Sequence, residues 1–334
     1  MSDFRVPVGF EEALRPPVRV RRARLAPAVL RVGRGEGPGE TPARLERMAR
    51  RAPEVMVKVT GRTRDGGHLR NHLDYISRNG AVALEGPDGE RLTGRTEVRE
   101  LAEDWLADLA VTRPRLDAAV SISLVLSMPA GTDPGGVHDA ARAFARTLFE
   151  DRHPYVLALH TDEPHPHVHL TVQALGRDGA RLNPRKADLQ LWRETFAGAL
   201  RARDIEAEAT PRRARGVVRK SERLPLRKLR ERFEAGRAPP PKTLASAWRE
   251  AGEAVVEAPP WVAAIRSRQA GIRRRLVAES LRLQRSASEA DRRVGVDLER
   301  FVRELPAIMT RRDVLARAIE AARDRSGPPR TRER

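Results

Sequence analysis

Four of the chain's eight histidines fall inside eleven residues, HTDEPHPHVHL at 160–170. His167 and His169 alternate with Val168 and Leu170, and in a strand alternate side chains share a face. The pattern therefore puts two imidazoles on one side and two apolar side chains on the other, toward a core. YVLALH (155–160) and HVHLTVQAL (167–175) read as paired strands joined by TDEPHP, a β-hairpin. His160 closes the first strand, so pairing brings a third imidazole beside the other two. Three imidazoles from two strands suit a borderline divalent ion and leave exchangeable positions for substrate oxygens. Asp162 is placed either to accept an imidazole N–H or to act at the site directly. His165, ahead of Pro166 in the turn, is a further contact or a turn residue. The competing reading is a set of exposed or internally satisfied histidines with no ion. His-x-His with a third histidine and an aspartate favours the ion.

An ion does not name a reaction, and the nucleophile must come from elsewhere. Cysteine is absent, and the two tyrosines are Tyr75 and Tyr155. Stepping about 100° per residue along HLRNHLDYISRN puts His68, His72 and Tyr75 on one face, with Leu69, Leu73 and Ile76 on a separate apolar stripe. Tyr75 thus sits on the polar edge of an amphipathic helix. Spacing alone leaves it either a hydroxyl presented to a ligand or an ordinary boundary tyrosine. Tyr155 opens a strand and reads as structural.

The elements that must position these groups lie in the middle of the 334 residues. VMVKVT (55–60) and AVSISLVLSMP (119–129) have strand character, the second apolar enough to be central in a sheet. Helical patterns cover the Tyr75 segment closed by Gly80, 97–110, VHDAARAFARTLFE (137–150) and 187–203. PAGTDPGG reads as loop, and GRDGARLNPRK as a basic loop. Residues 51–215 therefore read as one α+β domain, a sandwich-like central antiparallel sheet flanked by helices. Residues 1–50, rich in Pro, Gly and Arg, read as a largely disordered basic arm, and 216–334 as a basic, all-helical C-terminal region.

The net charge of +18 is concentrated on the flanks: +5 over 1–50, −2 over 51–200 and +15 over 201–334. Basic flanks attract polyanions, and nucleic acid is the expected partner; solvated helix faces in an arginine-rich chain are the plainer account. The longest uncharged stretch, AAVSISLVLSMPAGT, is about fifteen residues, against roughly twenty for a bilayer-spanning helix. No secretory signal precedes it, and the lack of cysteine fits a reducing compartment, so the expectation is a soluble cytoplasmic bacterial protein without membrane insertion.

Taken together, VKVTGRTRDGGHLRNHLDYISRNG, SISLVLSMPAGTDP, the hairpin with its trailing GRDGARLNPRKADLQLWRE, and IEAEATPRRARG resemble the conjugative relaxases of the mobilisation type, in the His-hydrophobe-His endonuclease superfamily. The resemblance covers about 55–215 and is most specific at the histidine stretch. It implies an enzyme that nicks one strand of single-stranded DNA at an origin of transfer by tyrosine transesterification. The products are a 5′-phosphotyrosyl intermediate and a free 3′-OH, and the strand is later rejoined. By the resemblance Tyr75 is the nucleophile, Asp162 the supporting carboxylate, and His160, His167 and His169 hold a divalent metal, Mn²⁺ or Mg²⁺ with Zn²⁺ as a further candidate. His165 stands where many relatives have asparagine, which leaves the ligand set among the four histidines open. Arg181, Arg185 and Lys186 could grip the DNA backbone near the site, or solvate a loop. Accessory relaxosome proteins and a secretion coupling protein are the implied partners.

Two alternatives remain open in the sequence. One is a replication initiator or transposase of the same superfamily, which shares the chemistry; no phosphate-binding GxxxxGK[ST] loop is present. The other is a non-catalytic single-strand binder with a structural metal, although aromatics at 4% supply few stacking platforms.

Overall fold

Short runs of alternating residues form the strands, and their alternation sorts the domain into two unlike sides. The structure, a computed structural model, describes residues 40–112, 118–210, 215–216, 224–252, 260–309, 313–317 and 320. The chain divides into two units, Met1–Thr210 and Pro211–Arg334.

In the first unit the order is α1 (Glu40–Ala49), β1 (Met56–Thr63), α2 (Gly66–Ile76), β2 (Leu84–Glu85), β3 (Arg91–Leu92), α3 (Gly94–Thr112), β4 (Ser121–Ser127), α4 (Pro134–Phe149), β5 (Tyr155–His160), β6 (His167–Gln173) and α5 (Lys186–Arg201). The six strands make one sheet in the order β1-β4-β6-β5-β2-β3, every pairing antiparallel. The α+β expectation and the β5–β6 hairpin are both met. β4 is central, as its apolar content predicts, and all seven of its residues are buried.

One face is apolar. Val57, Ile122, Leu124, Leu126, Leu157, Val168 and Leu170 pack there beneath α4 and α5, where Phe144 meets Phe149, Trp192 and Phe196 edge-on. The other face carries the histidines. On its β5 side, Val156 and Ala158 lie under Leu69, Leu73 and Ile76 of α2, backed by Val98, Ala102 and Trp105 of α3.

Three local features depart from the sequence reading. The supposedly unstructured arm ends in α1, whose Leu45 and Met48 are fully buried; residues 1–39 lie outside the described residues. PAGTDPGG contains a helix start, because Asp133 accepts hydrogen bonds from the Gly135 and Gly136 N–H groups and Pro134 fits the first helical turn. The tiny β2–β3 ladder was unforeseen, and it carries Glu85, a buried carboxylate forked by Arg142 of α4.

The second unit is helical where described: α6 (Leu224–Glu234), α7 (Lys242–Gly252), α8 (Pro260–Gln284) and α9 (Glu289–Arg303). Helices α8 and α9 cross at Gly295, where a Cβ would stand 2.8 Å from the Gln284 nitrogen. No helix among the described residues is long and apolar enough to cross a membrane.

Candidate metal and nucleophile site

Antiparallel partners share a face, so the strand register aligns the site in two rows. Met56, Ser127, His167 and His160 form the first; Lys58, Val125, His169 and Ala158 form the second. His160 and His167 face each other across the mouth of the hairpin, and His169 lies one step inward. Their ring centroids stand 5.3, 4.5 and 5.2 Å apart (160–167, 160–169 and 167–169). One nitrogen from each ring falls within 4.8 Å of the others, a grouping that can hold a metal ion.

The backbone sets the tautomers. His160 Nε2–H donates to the Ile76 carbonyl at 2.7 Å, which turns Nδ1 inward. His167 Nδ1–H donates to the His165 carbonyl at 3.0 Å, which frees Nε2. Outer-shell carbonyls of this kind fix ring orientation in metal sites. Burial, reinforced by His160, His167, His72 and Arg78, pushes His169 down to about 3. Burial also lowers His160. Imidazoles that stay neutral leave their lone pairs to a cation, so the donor set fits a divalent ion.

Tyr75 is brought to this cluster by α2. Asp65 caps the helix through the His68 N–H at 2.7 Å, and the leucine stripe seats it on α3 and β5. The Tyr75 ring then meets His169 edge-on at 5.7 Å while remaining 54% exposed. Tyr155 is fully buried on the opposite, apolar face, and burial raises it to about 12.

His72, one turn before Tyr75, hydrogen-bonds through Nε2 with Thr171 Oγ1 at 2.8 Å and Ser123 Oγ at 2.9 Å. It ties the tyrosine helix to two strands, and burial drives it down to about 4. The sequence places it on the Tyr75 face and ranks a surface role above an approach to the site; the structure instead ties it to the sheet. The signal was the Ser/Thr alternation on β4 and β6 facing it. His68 is exposed.

Arg78 escaped sequence reasoning altogether. Arg78, Asn79 and Gly80 are all left-handed, with φ of 51°, 58° and 87°. A non-glycine residue pays about 1–2 kcal/mol for that backbone. Gly80 anchors the run: its carbonyl accepts from the Gly94 N–H at 3.0 Å, and a Cβ there would lie 2.3 Å from the Gly94 carbonyl carbon. The turn aims the Arg78 guanidinium at the site, where it bonds Asp162, lies 3.4 Å from His160 Nδ1 and sits 5.4 Å from the Tyr75 ring centroid. Asp162 therefore pairs with a guanidinium rather than with an imidazole N–H.

His165 contributes its carbonyl, and its imidazole is not in the cluster. The basic loop is not brought to the triad. Arg181 donates to the Ala119 carbonyl at 3.1 Å, just before β4 begins, and Leu175 pairs with Arg181. That end of the sheet is six residues along β6 from His167, about 20 Å away. β6 runs on too far before turning for the loop to lie near the histidines. Arg185 is exposed at the start of α5, with its backbone N–H on Asp188 at 2.6 Å; the Lys186 side chain lies outside the described residues.

The site thus sets a histidine triad and an exposed tyrosine together against one face of an antiparallel sheet. Residues 82–203 match the family described as "Relaxase: MobA/VirD2-like, nuclease domain". The match spans the triad and begins after Tyr75. The chain is 26% identical over 192 residues to the T-DNA border endonuclease VirD2 of Rhizobium radiobacter, covering 49% of this chain and 43% of that protein. The VirD2 of Agrobacterium fabrum (strain C58 / ATCC 33970) is 24% identical over 192 residues, with 49% and 41% covered. The chain thus spans less than half the length of these relatives. A solved structure titled "Molecular Basis of Vancomycin Resistance Transfer in Staphylococcus aureus" aligns with 48% of this chain and 98% of its own, at 15% identity and a TM-score of 0.33.

Proposed function

We propose that the protein is a metal-dependent relaxase that nicks single-stranded DNA at an origin of transfer and later rejoins it, for conjugative mobilisation. The observation that carries this reading is the exposed Tyr75 hydroxyl-bearing ring held against His169 of the triad. Tyr75 Oη bonds to the scissile phosphorus as the P–O3′ bond breaks; the phenol proton leaves to water, and O3′ takes up a proton. The covalent intermediate keeps the diester's bond energy for resealing. A divalent ion held by His160, His167 and His169 would supply charge neutralisation at the phosphoryl oxygens, with Mn²⁺ or Mg²⁺ the expected ions and Zn²⁺ a further candidate. His72 fixes the helix that carries the nucleophile.

Arg181 and Arg185 would meet the strand several nucleotides from the scissile bond, since their loop is far from the triad. The basic helices of the second unit would serve duplex DNA beside the nick, relaxosome proteins or a coupling protein.

The test is incubation of the full chain with Mn²⁺ or Mg²⁺ and labelled single-stranded origin-region oligonucleotides, followed by denaturing gels. A covalent protein–DNA band lost in Tyr75→Phe and kept in Tyr155→Phe is expected. No band with any origin-region DNA, from folded and metal-loaded protein, would leave a non-catalytic binding module.

A further inference from the structure

The cation nearest the triad is a side chain with donors to spare. Every hydrogen bond of the Arg78 head among the described residues runs through Nη2, to Asp162 Oδ2 and toward His160 Nδ1. A guanidinium has five N–H donors in a planar fork, a geometry that matches two oxygens of a phosphate. Nε and Nη1 remain for a ligand, and the group lies beside both the Tyr75 ring and His160 of the triad.

The backbone argues in the same direction. Arg78 holds a left-handed conformation that disfavours side-chain-bearing residues. The ion pair it gains is largely exposed, at 39% for Arg78 and 55% for Asp162, and such pairs add little stability. That backbone closes helix α2, with the Arg78 N–H on the Tyr75 carbonyl at 3.2 Å and the Asn79 N–H on the Asp74 carbonyl at 2.7 Å, and so it fixes where the guanidinium stands.

We propose that Arg78 is a phosphate-binding residue of this site, acting independently of the metal, and that Asp162 is its positioning residue. The inference rests on the relaxase reading above and deepens it. The guanidinium would bind the non-bridging oxygens of the diester beside Tyr75 and offset the negative charge that grows on them as the Tyr75 Oη–P bond forms and the P–O3′ bond breaks. Asp162 engages Nη2 and so fixes the direction of the fork. This gives the aspartate of the histidine stretch a task on the nucleophile's side of the site.

The test uses the full chain and the variants Arg78→Gly, Arg78→Lys and Asp162→Asn. With EDTA present, the salt dependence of binding to a mixed-sequence single-stranded oligonucleotide is measured by fluorescence anisotropy. The slope of log K against log salt is expected to fall by about 0.7 in Arg78→Gly, the loss of one single-strand phosphate contact. With Mn²⁺, single-turnover adduct formation is expected to slow about 100-fold or more in Arg78→Gly and about 10-fold in Asp162→Asn. Arg78→Lys should recover the salt slope but only part of the rate, since a point charge cannot reproduce the fork. Mn²⁺ affinity should be unchanged or higher in Arg78→Gly, since a cation 3.4 Å from His160 Nδ1 is removed, and its melting temperature unchanged or about 2 °C higher because glycine suits the left-handed position.

An unchanged salt slope and rate in Arg78→Gly would overturn the proposal. So would a loss of Mn²⁺ affinity parallel to the loss of rate, because Arg78 would then act through the metal site. Wild-type protein that forms no adduct would instead overturn the relaxase reading, and a slope that still falls in Arg78→Gly would leave the phosphate site standing without it.

Discussion

Toward α4 and α5, strand β4 presents Ile122, Leu124 and Leu126; away from them it presents Ser121, Ser123, Val125 and Ser127. β6 divides in the same way, with Val168, Leu170 and Val172 on one side and His167, His169 and Thr171 on the other. Period-two alternation lets one segment serve two purposes, because a strand's two faces are chemically independent while their register is shared. A one-residue slip would send the histidines into the core and the leucines to solvent. The apolar face therefore holds the register that aligns His160 with His167. The polar face can carry hydrogen-bonded hydroxyls, imidazoles and a left-handed turn because the apolar face opposite supplies the larger core.

The largest effect should come from breaking the apolar side. Phe144 is fully buried against three aromatic rings, Phe149, Trp192 and Phe196. Phe144→Ala should cost about 3–5 kcal/mol in chemical denaturation. Tyr75→Phe, on the other face, should change stability by less than about 0.5 kcal/mol while removing the covalent adduct. If Tyr75→Phe unfolded the domain as readily, the separation of labours between the faces would be wrong.

A comparable effect should appear on the polar side only when pH falls. His72 titrates at about 4 in the folded protein, against 6.5 ordinarily. The unfolded chain takes up this proton between those values and the folded chain does not. The His72 contribution is therefore fully present above pH 6.5, declines as pH drops toward 4 and is gone below it, a loss of about 3 kcal/mol. Denaturation at pH 7 and 4.5 should show a shallower loss in His72→Gln than in wild type. Equal losses in the two proteins would mean that the imidazole protonates as easily folded as unfolded.

Gly80→Ala sharpens the contrast at the turn that leaves α2 and meets the start of α3 on the polar side. A Cβ would meet the Gly94 backbone at 2.3 Å, and φ of 87° disfavours any side chain. A loss of about 2 kcal/mol or more is expected. Adduct formation should fall by more than the unfolded fraction explains, because the same turn aims Arg78. A variant equally active per folded molecule would uncouple the turn from the site.

The triad was legible because hairpin pairing and strand alternation are local rules: His-x-His fixes a face, and a turn of six residues returns His160 to it. Tyr75 was legible as a helical-face position, although spacing could not say what that face met. What escaped depends on distant partners. Arg78 needs a left-handed turn held by Gly80 against Gly94, fourteen residues away. The two-residue strands β2 and β3 are too short to show alternation, even though GPDG between them is a turn signal. Arg181 was misplaced because the length of β6 sets which end of the sheet its loop leaves from. α1 was hidden by a basic, proline-rich context, with Leu45 and Met48 as its only anchors of size.

The smallest expected effect is the most discriminating. Tyr155 and Tyr75 carry the same hydroxyl, one on each side of the sheet. The Tyr155 hydroxyl is buried with no hydrogen-bond partner among the described residues, whereas the Tyr75 side chain is open to solvent. Removing a buried polar group that lacks a partner removes its desolvation cost and leaves nothing behind unpaired. Tyr155→Phe should therefore be neutral or stabilising by up to about 1 kcal/mol, with adduct formation at the wild-type rate. A loss of stability would reveal a partner for that hydroxyl. A loss of adduct from a protein of undiminished stability would mean that the apolar face reaches the chemistry after all.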